Sequence, residues 1–202
     1  MSDRSDLISV TNRALCHGSF LRRVEEIAAG GARAVILREK DLDAQRYQDL
    51  AEQVLPLCEK HGVRCILHSH PHTAMALGAK ALHLPLPLLR ELPESQRNFF
   101  EILGASCHSL EDVQEAQHLG CTYVTLGHIF ATDCKKGLPP RGLSLLRNVC
   151  AASFIPVYAI GGICPENVDS VREAGAAGAC LMSSLMTCPD PAALLRDLMP
   201  HH

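Results

Sequence analysis

The sequence predicts an α/β fold, a (β/α)8 barrel built as a single domain over residues 1–202. Three observations lead there. Eight short apolar runs recur along the chain, most of them followed by a stretch with apolar residues at helical spacing. The runs are continuously apolar rather than alternating, as parallel strands covered on both faces require. The units are nearly equal, at about 20–25 residues each, which suits closure of one short sheet on itself. An open doubly wound sheet shares the alternation. No GxGxxG follows the first run, however, so a dinucleotide fold finds no support.

The predicted strands are LISVT (7–11), ARAVILR (32–38), RCILH (64–68), KALHL (80–84), EILGASC (101–107), TYVTLG (122–127), IPVYAI (155–160) and GACLMS (178–183). The first helix, LRRVEEIAAGG, closes on Gly30 and Gly31, a C-cap pair. The second covers 43–62 with Pro56 as an interruption. The helix after the fifth strand opens on Ser109 with Asp112 three residues later, close to a capping box. Further helices are read in 142–153, 165–178 and 191–199. The fourth unit is the weakest, because Pro85, Pro87 and Pro93 leave room for a short helix at most.

Composition narrows the function classes. A net charge of −3 gives no reason to expect nucleic acid or an anionic membrane as partner. The opening MSDRSDLISVTN has no long apolar run, so neither a signal peptide nor a membrane span is expected. The ten cysteines are scattered singly and form no CxxC pair, so zinc-ribbon spacing is absent. They read as reduced thiols of a cytoplasmic protein, several of them small hydrophobes within apolar runs.

In a barrel, chemistry collects where strands end. The second strand here runs into Arg38-Glu39-Lys40-Asp41, and the third into His68-Ser69-His70-Pro71-His72. The fifth ends in Ser106-Cys107-His108, the sixth in Gly127-His128, the seventh in Gly161-Gly162 and the eighth in Ser183-Ser184. The last two pairs suit a phosphate site, since glycines let backbone amides approach an anion and the serines add hydroxyls. Arg38, Lys40, Lys135 and Lys136 supply positive charge. A tight turn alone would also use the glycine pair. His108 suits general acid/base chemistry by its titration range, or equally a helix-flanking role beside Ser109. The histidines at 68, 70 and 72, with His108 and His128, invite a metal reading. No Asp or Glu closes the eighth strand, so no metal site is assigned. His83, inside ALHL, reads as a satisfied interior histidine.

LREKD, ALHL, SCHSLEDVQEA, YVTLGHIFATDCKKGLPPRG, IPVYAIGGICPENV and AGAAGACLMSSL, in this order, resemble the thiamine phosphate synthase/TenI superfamily over nearly the whole chain. Its synthases join a pyrimidine pyrophosphate to a thiazole phosphate. They use magnesium held by an aspartate after the third strand and another after the fourth. Those places here hold His68-Ser69 and Pro85-Leu86-Pro87-Leu88, and the synthases' glutamine before the REK run is Ile36.

GHIFATDCKKG and the histidine of SCHSLED look closer to the thiazole tautomerase branch. That resemblance implies an isomerase of thiamine biosynthesis, aromatising a carboxylated dihydrothiazole phosphate with His108 as acid/base and no cofactor. It implies substrate and phosphate contacts from Gly161, Gly162, Ser183, Ser184, Lys135 and Thr132, with Arg38 and Lys40 at the anionic end and Ser106 lining the site. The implied partner is a small phosphorylated thiazole, with a homodimer as an expectation of the fold. The alternatives are a thiamine phosphate synthase, or a regulator that binds thiazole or thiamine phosphate without turnover.

Overall fold

The computed structural model describes residues 6–199. The first five residues of the N-terminal stretch, and the closing His201 and His202, lie outside it. Eight strands follow one another in a closed parallel order, the (β/α)8 arrangement. They are β1 (Leu7–Val10), β2 (Ala34–Leu37), β3 (Arg64–His68), β4 (Ala81–Pro85), β5 (Ile102–Cys107), β6 (Tyr123–Gly127), β7 (Val157–Ile160) and β8 (Gly178–Leu181). The helices are α1 (Phe20–Ala29), α2 (Ala44–Lys60), α3 (Pro71–Ala76), α4 (Leu86–Glu91), α5 (Glu94–Arg97), α6 (Leu110–His118), α7 (Gly142–Ala152), α8 (Val168–Glu173), α9 (Ser183–Thr187) and α10 (Pro191–Leu198). Among the described residues no helix is long and apolar enough to cross a membrane. All ten cysteines are free thiols.

The chain divides into two compact units. One takes the chain up to Ala79 together with the stretch from Leu181 on, and the other is Lys80–Cys180. In the first, β1, β2 and β3 pair in register, with Ile8 beside Ala34 and Ile36 beside Ile66. Leu7, Ile36, Leu37 and Leu67 are buried from the strands, and Val24, Ile27, Tyr47 and Val54 from α1 and α2. Tyr47 ties strands as well as filling space: its hydroxyl donates to the Leu37 carbonyl (2.6 Å) and accepts from the His68 amide (2.8 Å). Ser19 and Asp43 cap α1 and α2 through their side chains. Gly31, just past α1, takes φ +92, the left-handed C-cap position foreseen for the glycine pair.

In the second unit β4 through β8 pair in sequence. Leu82, Leu84, Leu89, Leu103, Leu126 and Ile129 form its buried apolar interior. Three features differ most from the sequence reading. The third strand is followed by a helix, α3, which begins on Pro71 where a proline needs no amide partner. The eighth strand stops at Leu181, and Ser183 opens α9 instead of ending a strand. Pro56 lies inside an unbroken α2, on an exposed face, so the helix runs on past it.

Candidate active site

The candidate residues follow the C-terminal ends of their strands, except Ser106, which lies within the last two residues of β5; the two units are described in turn. In the first, the end of β1 is tied to the end of β2 by Glu39. This carboxylate is 3% exposed. It accepts from the Thr11 hydroxyl (2.6 Å) and from the Arg13 amide (3.0 and 3.1 Å to its two oxygens). Thr11 Oγ1 in turn accepts from the Arg38 amide (2.9 Å). The Arg13 guanidinium bonds Asp41 and lies 3.8 Å from Glu39. Burial raises the Glu39 pKa, partly offset by the hydrogen bonds from Thr11 and Arg13. Arg38 is half-buried and Lys40 exposed at the same strand end.

The three histidines after β3 have separate surroundings. His68 is buried, and its Nδ1 lies 2.7 Å from the Ser69 hydroxyl. Ser69 takes φ +62, a left-handed conformation unusual for a side-chain-bearing residue. His70 stacks on Tyr47 with ring centroids 4.0 Å apart, and burial lowers its pKa. His72 is exposed on α3. Among the described residues no group of three or more His, Cys, Asp or Glu side chains is placed to hold a metal ion. Ser183 and Ser184 are half-buried at the start of α9.

In the second unit, His108 is exposed just past β5 and held by two bonds. Its amide donates to Asp112 (2.7 Å), so the cap differs from the expected box. Asp112 bonds His108 while its own amide donates to Ser109 (3.2 Å). The His108 Nδ1 lies 2.7 Å from the Gly127 carbonyl. A carbonyl only accepts, so Nδ1 carries the proton and the neutral ring presents Nε2 as a proton acceptor. Arg141 Nε donates to the same carbonyl (3.0 Å). Thr132 caps the turn that carries Lys135, and both lysines are exposed in that loop.

Gly161 and Gly162 take φ +99 and +67, where a side chain is strained. A Cβ on Gly161 would stand 2.4 Å from His128 Cβ, and one on Gly162 would stand 2.3 Å from the Ala131 carbonyl oxygen. The Phe130 amide donates to the Gly161 carbonyl (3.0 Å). The pair therefore packs the loop after β6 against the loop after β7.

Ser106 has a partner that strand-end reasoning missed. His83 places Nε2 2.9 Å from its hydroxyl and Nδ1 2.8 Å from the Tyr123 hydroxyl. Burial pushes the His83 pKa down to about 3, so it is neutral, the satisfied interior histidine its setting in ALHL suggested. An unfolded histidine titrates near ~6.5. Between those values the unfolded chain binds more protons, so this group makes stability fall as pH drops from about 6.5 toward about 3. His83→Gln, which cannot titrate, is expected to flatten the acid side of the Tm-against-pH profile. An unchanged profile would count against a neutral buried His83.

Tyr123, Gly104, Glu39 and Arg141 were not marked as site residues. Only Glu39 offered a sequence signal, a carboxylate set between two cations right after an apolar strand. Chemically, the second unit presents a proton acceptor at His108, a held hydroxyl at Ser106 and cations on the loop after β6.

Comparison with known proteins is specific. The profile of the TMP-TENI family, described as thiamine monophosphate synthase, matches residues 7–185. A thiamine-phosphate synthase of Roseiflexus castenholzii is 36% identical, covering 98% of this chain and 88% of that protein. One from Thermus thermophilus is 37% identical, over 88% and 86%. Among solved structures, a thiamine phosphate pyrophosphorylase from Pyrococcus furiosus superposes with a TM-score of 0.83 at 28% identity, covering 96% of this chain and 95% of that one. These findings correct the expectation of an isomerase. The relatives carry a transferase's name over nearly full length, whereas the tautomerase reading rested on the short runs around His108 and His128.

Proposed function

Because this chain belongs to the thiamine monophosphate synthase family, we propose that it joins a phosphorylated thiazole to a pyrimidine pyrophosphate, releasing inorganic pyrophosphate. The observation that carries this reading is the 36% identity to a thiamine-phosphate synthase over 98% of the chain. The site residues take roles by chemistry. In the first unit Ser183 and Ser184 offer hydroxyls to a phosphate, and in the second the Gly161–Gly162 backbone offers amides to one. Arg38 and Lys40 of the first unit supply positive charge for an anionic ligand group. In the second unit Lys135 does the same, Thr132 shapes the loop that carries it, and Ser106 lines the ligand. His108 offers Nε2 to a ligand N–H or O–H.

The magnesium expected of such synthases does not fit the residues present. Magnesium demands oxygen ligands in near-octahedral array. The place after β3 holds His68 and Ser69, bonded to each other at 2.7 Å. The place after β4 holds Pro85 to Leu88, with Leu86 buried and no carboxylate. No step of this reading runs through a metal. That same lack of carboxylates favours one second reading, a barrel that binds thiazole or thiamine phosphate without turnover.

The experiment is to incubate both substrates with the protein and measure thiamine phosphate and pyrophosphate, with and without magnesium. Product in both conditions is expected. Ser183→Asp, which sets a like charge against the phosphate, is expected to raise KM for the thiazole phosphate by about tenfold or more with the fold retained. Binding by calorimetry without product would select the second reading. Neither product nor binding would refute both.

A further inference from the structure

Three strands of the second unit build a buried polar chain that ends at Ser106. In the ladder, His83 of β4 lies beside Gly104 of β5, which lies beside Tyr123 of β6. The middle position has no side chain, and the Tyr123 ring lies across it: a Cβ on Gly104 would stand 2.2 Å from Tyr123 Cζ. The phenol thereby reaches past β5 to His83 Nδ1 at 2.8 Å. Ser106 stands two residues beyond Gly104, on the same face of the strand. Its hydroxyl lies 2.9 Å from His83 Nε2. Tyr123 and His83 are buried, while Ser106 is half-buried.

A neutral imidazole has one N–H and one lone pair, so the chain can be wired in two directions. In one, Nδ1–H donates to the phenol and Ser106 donates to Nε2. The phenol proton then has no acceptor, since His83 Nδ1 is the only hydrogen-bond partner of that hydroxyl among the described residues. A buried donor left unsatisfied is costly. In the other direction, Tyr123 donates to Nδ1, Nε2–H donates to Ser106 Oγ, and every buried proton is used. Burial also holds the phenol far above its ordinary pKa, keeping that proton in place. The second wiring leaves one proton over, on the half-buried Ser106.

We propose that Tyr123 and His83 are positioning residues that fix Ser106 as a hydrogen-bond donor toward an anionic oxygen of the ligand. At this point the site then favours a phosphoryl or carboxylate oxygen, which accepts the Ser106 proton. The inference rests on the reading of Ser106 as a ligand-lining residue, but its wiring is measurable without turnover.

The test is 15N-imidazole NMR of the whole protein between about pH 5 and pH 8, paired with titration of inorganic pyrophosphate. Wild-type His83 is expected to show a protonated Nε2 and an unprotonated Nδ1. Ser106→Ala keeps that pattern, because Tyr123 still donates. Tyr123→Phe loses it. Both variants are expected to weaken pyrophosphate binding by about tenfold, and the double variant to lose no more than either alone. A protonated Nδ1 in the wild type overturns the wiring, whatever the protein turns over. A protonated Nε2 with unchanged pyrophosphate affinity in both variants overturns the role of Ser106. Neither result depends on whether thiamine phosphate is formed.

Discussion

Gly104→Ala is expected to destabilise the protein by about 3 kcal/mol or more, lowering Tm by roughly 6–12 °C at this chain size. The backbone itself tolerates alanine, because Gly104 does not use a left-handed conformation. The cost is steric. The new methyl would stand 2.2, 2.3 and 2.6 Å from Cζ, Cε1 and Oη of Tyr123. The ring has little freedom to retreat: its hydroxyl is held by His83, and Tyr158 packs edge-on with centroids 6.0 Å apart. Displacing it forfeits a buried hydrogen bond as well as packing. Thermal unfolding of the single variant checks this. The effect should be strongly non-additive with Tyr123→Val, which vacates the space the methyl needs. A Gly104→Ala protein melting with the wild type would mean the ring can leave β5 without cost, and the buried chain to Ser106 would lose its foundation.

Glu39→Ala carries the second large effect, also about 3 kcal/mol. Removing this carboxylate strands the Thr11 hydroxyl and the Arg13 amide, and it takes away the tie between the ends of β1 and β2. Glu39→Gln retains an acceptor for both donors and is expected to lose about half as much. Urea denaturation of the three proteins measures the order, wild type above glutamine above alanine. The pH dependence has the opposite sign to that of His83. The folded pKa of Glu39 lies above its unfolded value, so the folded chain binds more protons as pH rises through the ordinary carboxylate range. This group's contribution is full below that range and declines above it. The glutamine variant lacks that decline. A Glu39→Ala protein as stable as wild type would show that the tie is dispensable.

The strands were legible because burial on both faces leaves a simple trace. All eight apolar runs became strands: the third keeps its bounds, the fourth shifts by one residue to end on Pro85, and the other six are trimmed, since the flanking positions must already turn. α3 was missed for want of length, six residues opening on a proline between histidines that read as loop. The candidate site was marked in the sequence only as far as strand ends mark it. Ser106, His108 and the Gly161–Gly162 pair stand where the runs stop, Lys135 was marked by its charge in the loop after the sixth run, and family resemblance added Thr132. The branch of the family was misread, because short runs such as GHIFATDCKKG weighed more in the sequence than full-length identity allows.

By itself, then, the sequence determined the fold class, the strand order and the strand ends at which chemistry gathers. Each of these depends on local pattern: apolar periodicity, caps and turn residues lie within one unit of chain. Only the tertiary structure decided which residues work together. His83, Gly104 and Tyr123 lie on three successive strands, and their meeting is set by the register of β4 on β5 and β5 on β6. A shift of one residue would turn Tyr123 to the opposite face. The tautomer of His108 and the burial of Glu39 have the same origin. A hydrogen-bond partner that fixes a proton comes from a neighbouring strand, and the sequence of one strand does not contain its neighbour.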